Sequence, residues 1–133
     1  MQFNGLDHLA IVVPNTEEAL KIWRDRFGFP VLFSERVNND TALLTHLDMG
    51  NTHLQLVEPL VDDSPLWEWM RVHGPGLHHF CLAVGDAAAA LAETAAMGLP
   101  PGQRELHQGT RGKRALFIDT NATDGVRVEL AGD

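Results

Sequence analysis

The hydrophobic and polar positions along the chain follow one pattern that occurs twice. In the first copy, a short apolar run at 6–13 predicts a buried strand. A segment with apolar residues at helical spacing follows, with Asn15 as a candidate N-cap and Gly28 as its natural end. Three further strands are predicted in this half, at 31–36, 42–49 and 53–58. The predicted order of elements is therefore β-α-β-β-β.

The second copy repeats this order. Residues 77–84 form another short apolar run, and an alanine-rich helix is predicted between Asp86 as its cap and Gly98 as its end. Strand-like stretches recur at 103–107, 114–119 and 125–130. The sequence thus predicts an α+β fold made of two βαβββ modules, since neither half could bury its sheet alone.

The domain organisation follows from the repeat and the length. The 133 residues suit one domain, made of module 1 at about 1–60 and module 2 at about 76–133. A linker helix is predicted at about 64–74, because Ser64 and Pro65 are favourable start residues and Gly74 is a favourable end.

The alternation within the strands separates two kinds of residue. Bulky apolar side chains occupy one parity, which suits packing under helices, and small or polar residues occupy the other. Four polar residues of this second kind sit at matching positions of the two modules: His8, Gln55, His79 and Glu129. Because the four positions are related by the internal repeat, we expect these residues to act together. The small residues beside them leave room for a ligand on this face.

The donor chemistry of these four residues indicates a metal site. Two imidazoles, one carboxylate and one amide oxygen suit one divalent ion such as Co, Mn, Ni, Zn or Fe, and an octahedral ion would keep two open positions. Taken singly, each residue is also explained as an ordinary strand residue, but the internal symmetry favours metal binding.

The charge of the chain limits the kinds of molecule that it is expected to bind. The formal charge of −8 argues against nucleic acid. In this acidic chain, Arg111, Lys113 and Arg114 form a basic, glycine-containing loop that suits a phosphate-bearing substrate. The alternative is an ordinary solvated loop.

The single cysteine, Cys81, excludes an internal disulfide, and its apolar neighbours predict a buried, inert thiol. With no leader and no apolar run near 18 residues, we expect a cytoplasmic protein that does not enter a membrane.

Several segments together resemble the vicinal oxygen chelate superfamily, and within it the methylmalonyl-CoA epimerase family. They are LDHLAIVV, HLQLVEPL, GLHHFCLAV, GTRGKRALFI and GVRVEL. The resemblance implies a cupped mixed sheet around one metal ion, with His8, Gln55, His79 and Glu129 at the ligand positions. Aligning DHLAI with HHFCL selects His79 over His78, which shares the parity of the bulky residues.

The resemblance also implies a reaction and a substrate. The metal would chelate a methylmalonyl-CoA-like thioester while proton transfer at the carbon next to the carbonyl inverts its configuration. Glu129 is the first candidate for this transfer, and the basic loop is the candidate acyl-CoA contact. Some members carry a second glutamate in the third strand, where this chain has Leu44. His46 shares that face and is the candidate for the second transfer. A homodimer is implied as well.

Two other enzyme activities and one non-catalytic function remain compatible with the sequence. Two histidines and a glutamate also form the iron-binding triad of extradiol dioxygenases. A glyoxalase I-like lactoylglutathione lyase would use the same fold, but no glutathione pocket is apparent from the sequence. A non-catalytic antibiotic-binding protein of this fold typically lacks the metal ligands, so the complete set favours an enzyme.

Overall fold

Both predicted modules are present in the computed structural model, which describes residues 1–133. The first module contains β1 (Phe3–Val12), α1 (Thr16–Leu20), β2 (Val31–Val37), β3 (Ala42–Asp48) and β4 (His53–Pro59). The linker helix is α2 (Pro65–His73). The second module contains β5 (Gly76–Val84), α3 (Ala87–Glu93), β6 (His107–Gln108), β7 (Arg114–Phe117) and β8 (Val128–Gly132). The predicted α+β class with two βαβββ modules is confirmed.

The helices begin where the sequence predicts. The side chains of Asn15, Ser64 and Asp86 each accept a hydrogen bond from a backbone N–H in the first turn of α1, α2 and α3. The first helix continues as a π-helical stretch over Lys21–Arg26, and the third as a 3-10 turn over Thr94–Met97. None of the helices has the length and apolar character needed to span a membrane.

The chain divides into two compact units, and the first is His8–His78. Its strands lie in the order β2-β3-β4-β1, with β1 and β4 parallel and the other pairs antiparallel. One sheet face packs under α1 through an apolar cluster that includes Ile11, Leu20, Leu47, Leu54 and Leu56. The opposite face carries Ala10, Val12, Leu44 and Val57, and α2 packs on it through Met70. The predicted parity is confirmed here.

The second unit comprises Met1–Asp7 and His79–Asp133. Its strands lie in the order β5-β8-β7-β6, with β5 and β8 parallel and the other pairs antiparallel. Bulky residues pack with α3, among them Phe80, Leu82, Ala90, Leu116, Val128 and Leu130. The small residues Cys81, Ala115 and Ala131 cluster together. The parity prediction is confirmed here too.

Two strand predictions in the second module had the wrong bounds. Of 103–107 only His107 is in a strand, because Gln103 uses its side chain rather than its backbone: Phe117 N–H donates to Gln103 Oε1 at 2.9 Å. The stretch predicted at 125–130 becomes a strand only from Val128. The reason is a turn in which Asp124 and Gly125 both have positive φ, a conformation that interrupts extended backbone.

Candidate functional site

In the unit His8–His78, the parallel pairing of β1 and β4 brings His8 and Gln55 to one sheet face. Ala10 lies directly opposite Gln55, and His8 is two residues before Ala10 on the same side of the strand. Both side chains are buried, with 1% of His8 and 3% of Gln55 exposed. Burying polar groups is costly unless they are hydrogen-bonded or bind a ligand, so this pair is a candidate for ligand binding.

His46 lies beside this pair because β3 runs antiparallel to β4 with His46 opposite Gln55. The Gln55 amide nitrogen lies 3.0 Å from His46 Nε2, and His46 Nδ1 lies 2.9 Å from His53 Nδ1. An amide nitrogen can only donate, so His46 Nε2 accepts and the ring proton is on Nδ1, from where it is donated to His53. Both ring nitrogens of His46 are therefore engaged.

Leu44 shares this face but has apolar surroundings. It packs in the buried cluster that includes Val12, Val57 and Met70. The position at which the resemblance allows a second glutamate is thus an apolar contact to α2 in this protein.

In the second unit, β5 and β8 make the equivalent arrangement with different donors. Cys81 lies opposite Glu129, as Ala10 lies opposite Gln55, and His79 is two residues before Cys81. His79 Nε2 is 3.4 Å from Glu129 Oε1, and the two side chains are 6% and 9% exposed. His78 instead packs its ring against Trp69, with centroids 4.9 Å apart. Each unit thus pairs one buried imidazole with one buried oxygen donor.

His107 contacts Glu129, a role that the sequence did not predict. Its Nε2 lies 2.8 Å from Glu129 Oε2, and its Nδ1 lies 3.0 Å from the amide nitrogen of Gln103. The Gln103 oxygen accepts from Phe117 N–H, which fixes the amide with its nitrogen toward His107. His107 Nδ1 therefore accepts, and its Nε2–H donates to Glu129. A sequence signal for this contact did exist, because the outer two strands of each module carry one phenylalanine and one histidine.

The basic loop is tied to a carboxylate. Arg111 Nη2 donates to Asp7 Oδ1, and Lys113 Nζ lies 3.5 Å from the same oxygen. The Asp7 side chain is only 5% exposed, whereas the two cations are each about 30% exposed. Arg114 points elsewhere and donates to the backbone oxygen of Asp133 at 3.3 Å. Two of the three predicted substrate-binding cations therefore compensate a buried charge.

Removing both cations tests this compensation. We expect Arg111→Ala or Lys113→Ala alone to cost little, because the remaining cation still faces Asp7. The double variant leaves a buried carboxylate uncompensated and should lose about 3 kcal/mol of unfolding free energy in urea at pH 7. Adding Asp7→Asn to the double variant should recover part of that loss. Small, additive losses in the double variant would contradict a compensating role.

Cys81 has the character predicted for it. Burial, and secondarily the carboxylates of Glu129 and Asp7, raise the pKa of the Cys81 thiol. The thiol is fully buried and therefore neutral at physiological pH, which makes it a poor nucleophile.

A comparison with known protein families agrees with the fold. Residues 7–117 match the model of the Glyoxalase/Bleomycin resistance protein/Dioxygenase superfamily. The chain therefore belongs to this superfamily, which confirms the predicted vicinal oxygen chelate relationship.

Individual relatives within the superfamily indicate a narrower group of proteins to which this chain is similar. An uncharacterised Bacillus subtilis protein, YqjC, is 32% identical over 130 residues, which is 96% of this chain and 91% of that protein. An ethylmalonyl-CoA/methylmalonyl-CoA epimerase from Cereibacter sphaeroides is 31% identical over 129 residues, covering 94% and 95% of the two chains. A methylmalonyl-CoA epimerase structure in complex with methylmalonyl-CoA and NH4+ superposes with a TM-score of 0.86 at 27% identity, covering 99% and 96%. Two of these three relatives are thus epimerases.

Proposed function

We propose that this protein is a metal-dependent epimerase of a methylmalonyl-CoA-like thioester. The observation that carries the proposal is the repeated half-site: a buried imidazole next to a buried oxygen donor, at equivalent strand positions of both units. The similarity to curated epimerases supports the substrate class. We expect the protein to act in the cytoplasm as a homodimer.

The four donors fit a catalytic divalent cation. His8 and His79 would supply two nitrogens, and Gln55 and Glu129 two oxygens, a set that suits Co, Mn, Ni, Zn or Fe better than a soft-thiolate or all-oxygen site. When bound, the cation would polarise the thioester carbonyl and lower the cost of charge that develops on its oxygen. The neutral Cys81 thiol is not needed as a ligand in this scheme.

Glu129 is the proposed proton-transfer group. Its carboxylate is buried and accepts a hydrogen bond from His107, so one oxygen is held while the other faces His79. A buried carboxylate can remove the proton on the carbon between the thioester and the substrate carboxylate.

His46 is the proposed group for the second proton transfer. A role for His46 remains a prediction, and it would require His46 to release the hydrogen bond of Gln55 or of His53. Leu44 cannot transfer a proton.

The loop formed by Arg111, Lys113 and Arg114 is the proposed contact for the phosphates of CoA. Arg114 is exposed and does not pair with Asp7, so we expect it to contribute most of the phosphate contact.

Deuterium exchange tests the proposed reaction. One epimer of methylmalonyl-CoA is incubated with metal-loaded protein in deuterated water, and we expect deuterium at C2 together with the opposite epimer. Propionyl-CoA is the control, because it lacks the free carboxylate of methylmalonyl-CoA and should exchange far more slowly. Parallel reactions with ethylmalonyl-CoA define the acyl group. No exchange in protein that holds tightly bound metal would contradict an epimerase and leave the other activities of the superfamily to be assayed.

A further inference from the structure

Two histidines outside the proposed ligand set contact the two proposed oxygen ligands. His46 is hydrogen-bonded to Gln55 and His107 to Glu129. We propose that both are positioning residues, which determine the oxygen atom that Gln55 and Glu129 present to a metal. This inference rests on the proposed function.

In the first module the amide of Gln55 has two possible orientations, and only one presents oxygen. His46 Nε2 accepts from the amide nitrogen, and His46 Nδ1 then carries the ring proton and faces His53. With the nitrogen held by His46, the amide oxygen is left for coordination. We infer that the tautomer with the proton on His46 Nδ1 serves both contacts, donating to His53 and accepting from Gln55.

In the second module the corresponding group is a carboxylate, so the histidine has to donate rather than accept. Gln103 secures this by donating to His107 Nδ1, which leaves the proton of His107 on Nε2 and directed at Glu129 Oε2. The orientation of Gln103 is itself fixed by Phe117 N–H. The two histidines therefore have opposite hydrogen-bonding roles, each matched to the chemistry of its ligand.

A phenylalanine holds each imidazole plane. Phe33 on β2 stacks on His46 of β3 with centroids 4.6 Å apart and an interplanar angle of 19°. In the second module the histidine is on the outermost strand and the phenylalanine on the next one: His107 is on β6 and Phe117 on β7. Their ring centroids are 5.1 Å apart and the interplanar angle is 20°. The same stacked pair occurs with its members swapped, so the shared feature is the hydrogen bond to the ligand and not the position of the histidine in the repeat.

Replacement by glutamine or leucine separates positioning from packing. Glutamine can still accept from Gln55 at position 46 and donate to Glu129 at position 107, whereas leucine can do neither. Titration calorimetry with Mn²⁺ should show His46→Leu and His107→Leu binding about 10–100-fold more weakly than the parent, with both glutamine variants much closer to it. His73→Leu is the control, because His73 stacks on Trp69 in the linker helix and should leave Mn²⁺ affinity unchanged.

The remaining outcomes are distinguishable. If the parent binds Mn²⁺ and the leucine variants bind it equally well, the positioning role is overturned while the proposed function stands. If the parent binds none of Mn²⁺, Co²⁺, Ni²⁺, Zn²⁺ and Fe²⁺, both proposals fail. If His46→Leu binds Mn²⁺ as well as His46→Gln does and both lose deuterium exchange, His46 transfers a proton and its positioning role is overturned. Nitrogen NMR of the parent should show the proton on Nδ1 of His46 and on Nε2 of His107; the opposite tautomers would contradict the inference.

Discussion

Glu129→Gln is expected to abolish deuterium exchange at C2 of methylmalonyl-CoA. An amide cannot take up the proton, so we expect the rate to fall by about 10²–10⁴-fold, the usual contribution of a general acid or base. The substitution keeps the volume of the side chain, and an amide oxygen can still accept from His107. Because Gln55 is itself a proposed amide ligand, weakened but measurable Mn²⁺ binding should persist.

The rate is measured by NMR with Mn²⁺ at saturating concentration, so that weaker metal binding does not mimic lost chemistry. Glu93→Gln provides a matched control, since Glu93 is an exposed carboxylate in the same unit, at the end of α3. Its exchange rate should equal that of the parent, and both variants should melt near the parent temperature. Exchange at the parent rate in Glu129→Gln would remove Glu129 from the chemistry.

Removal of bound metal by a chelator is expected to have an effect of similar size. A Lewis acid at the carbonyl contributes several kcal/mol to stabilising the transition state, which corresponds to about 10²–10⁴-fold in rate. Exchange should therefore cease after chelation and dialysis, and return when Mn²⁺ or Co²⁺ is added.

The identity of the ion that restores exchange after chelation tests the proposed set of metal ligands. Ca²⁺ prefers oxygen ligands, so a site with two imidazoles should not recover activity with Ca²⁺. A His8→Ala variant should respond poorly to Mn²⁺ as well, because one of the proposed ligands is missing. Full exchange by protein that elemental analysis finds free of metal would overturn metal dependence.

Much of the fold was predictable from the sequence because the information is local. Alternation within strands separated Leu54 and Leu56 from Gln55, and the structure puts these residues on opposite faces as predicted. Helix caps are equally local, which is why Asn15, Ser64 and Asp86 were identified correctly. The internal repeat added long-range information, since matching positions in two copies of one pattern predict matching places in two sheets.

Only the tertiary structure determines which residues contact the candidate ligands and the basic loop. His107 reaches Glu129 across 22 residues of sequence, and Arg111 reaches Asp7 across 104. The strand β6 likewise begins only at His107, because the Gln103 side chain has replaced a backbone partner of Phe117. Periodicity determines which face a side chain occupies, but the register between strands and the paths of loops determine what it meets there. The sequence by itself therefore determined the two modules and the candidate ligands, and the packing of strands and loops decided which groups hold those ligands in place.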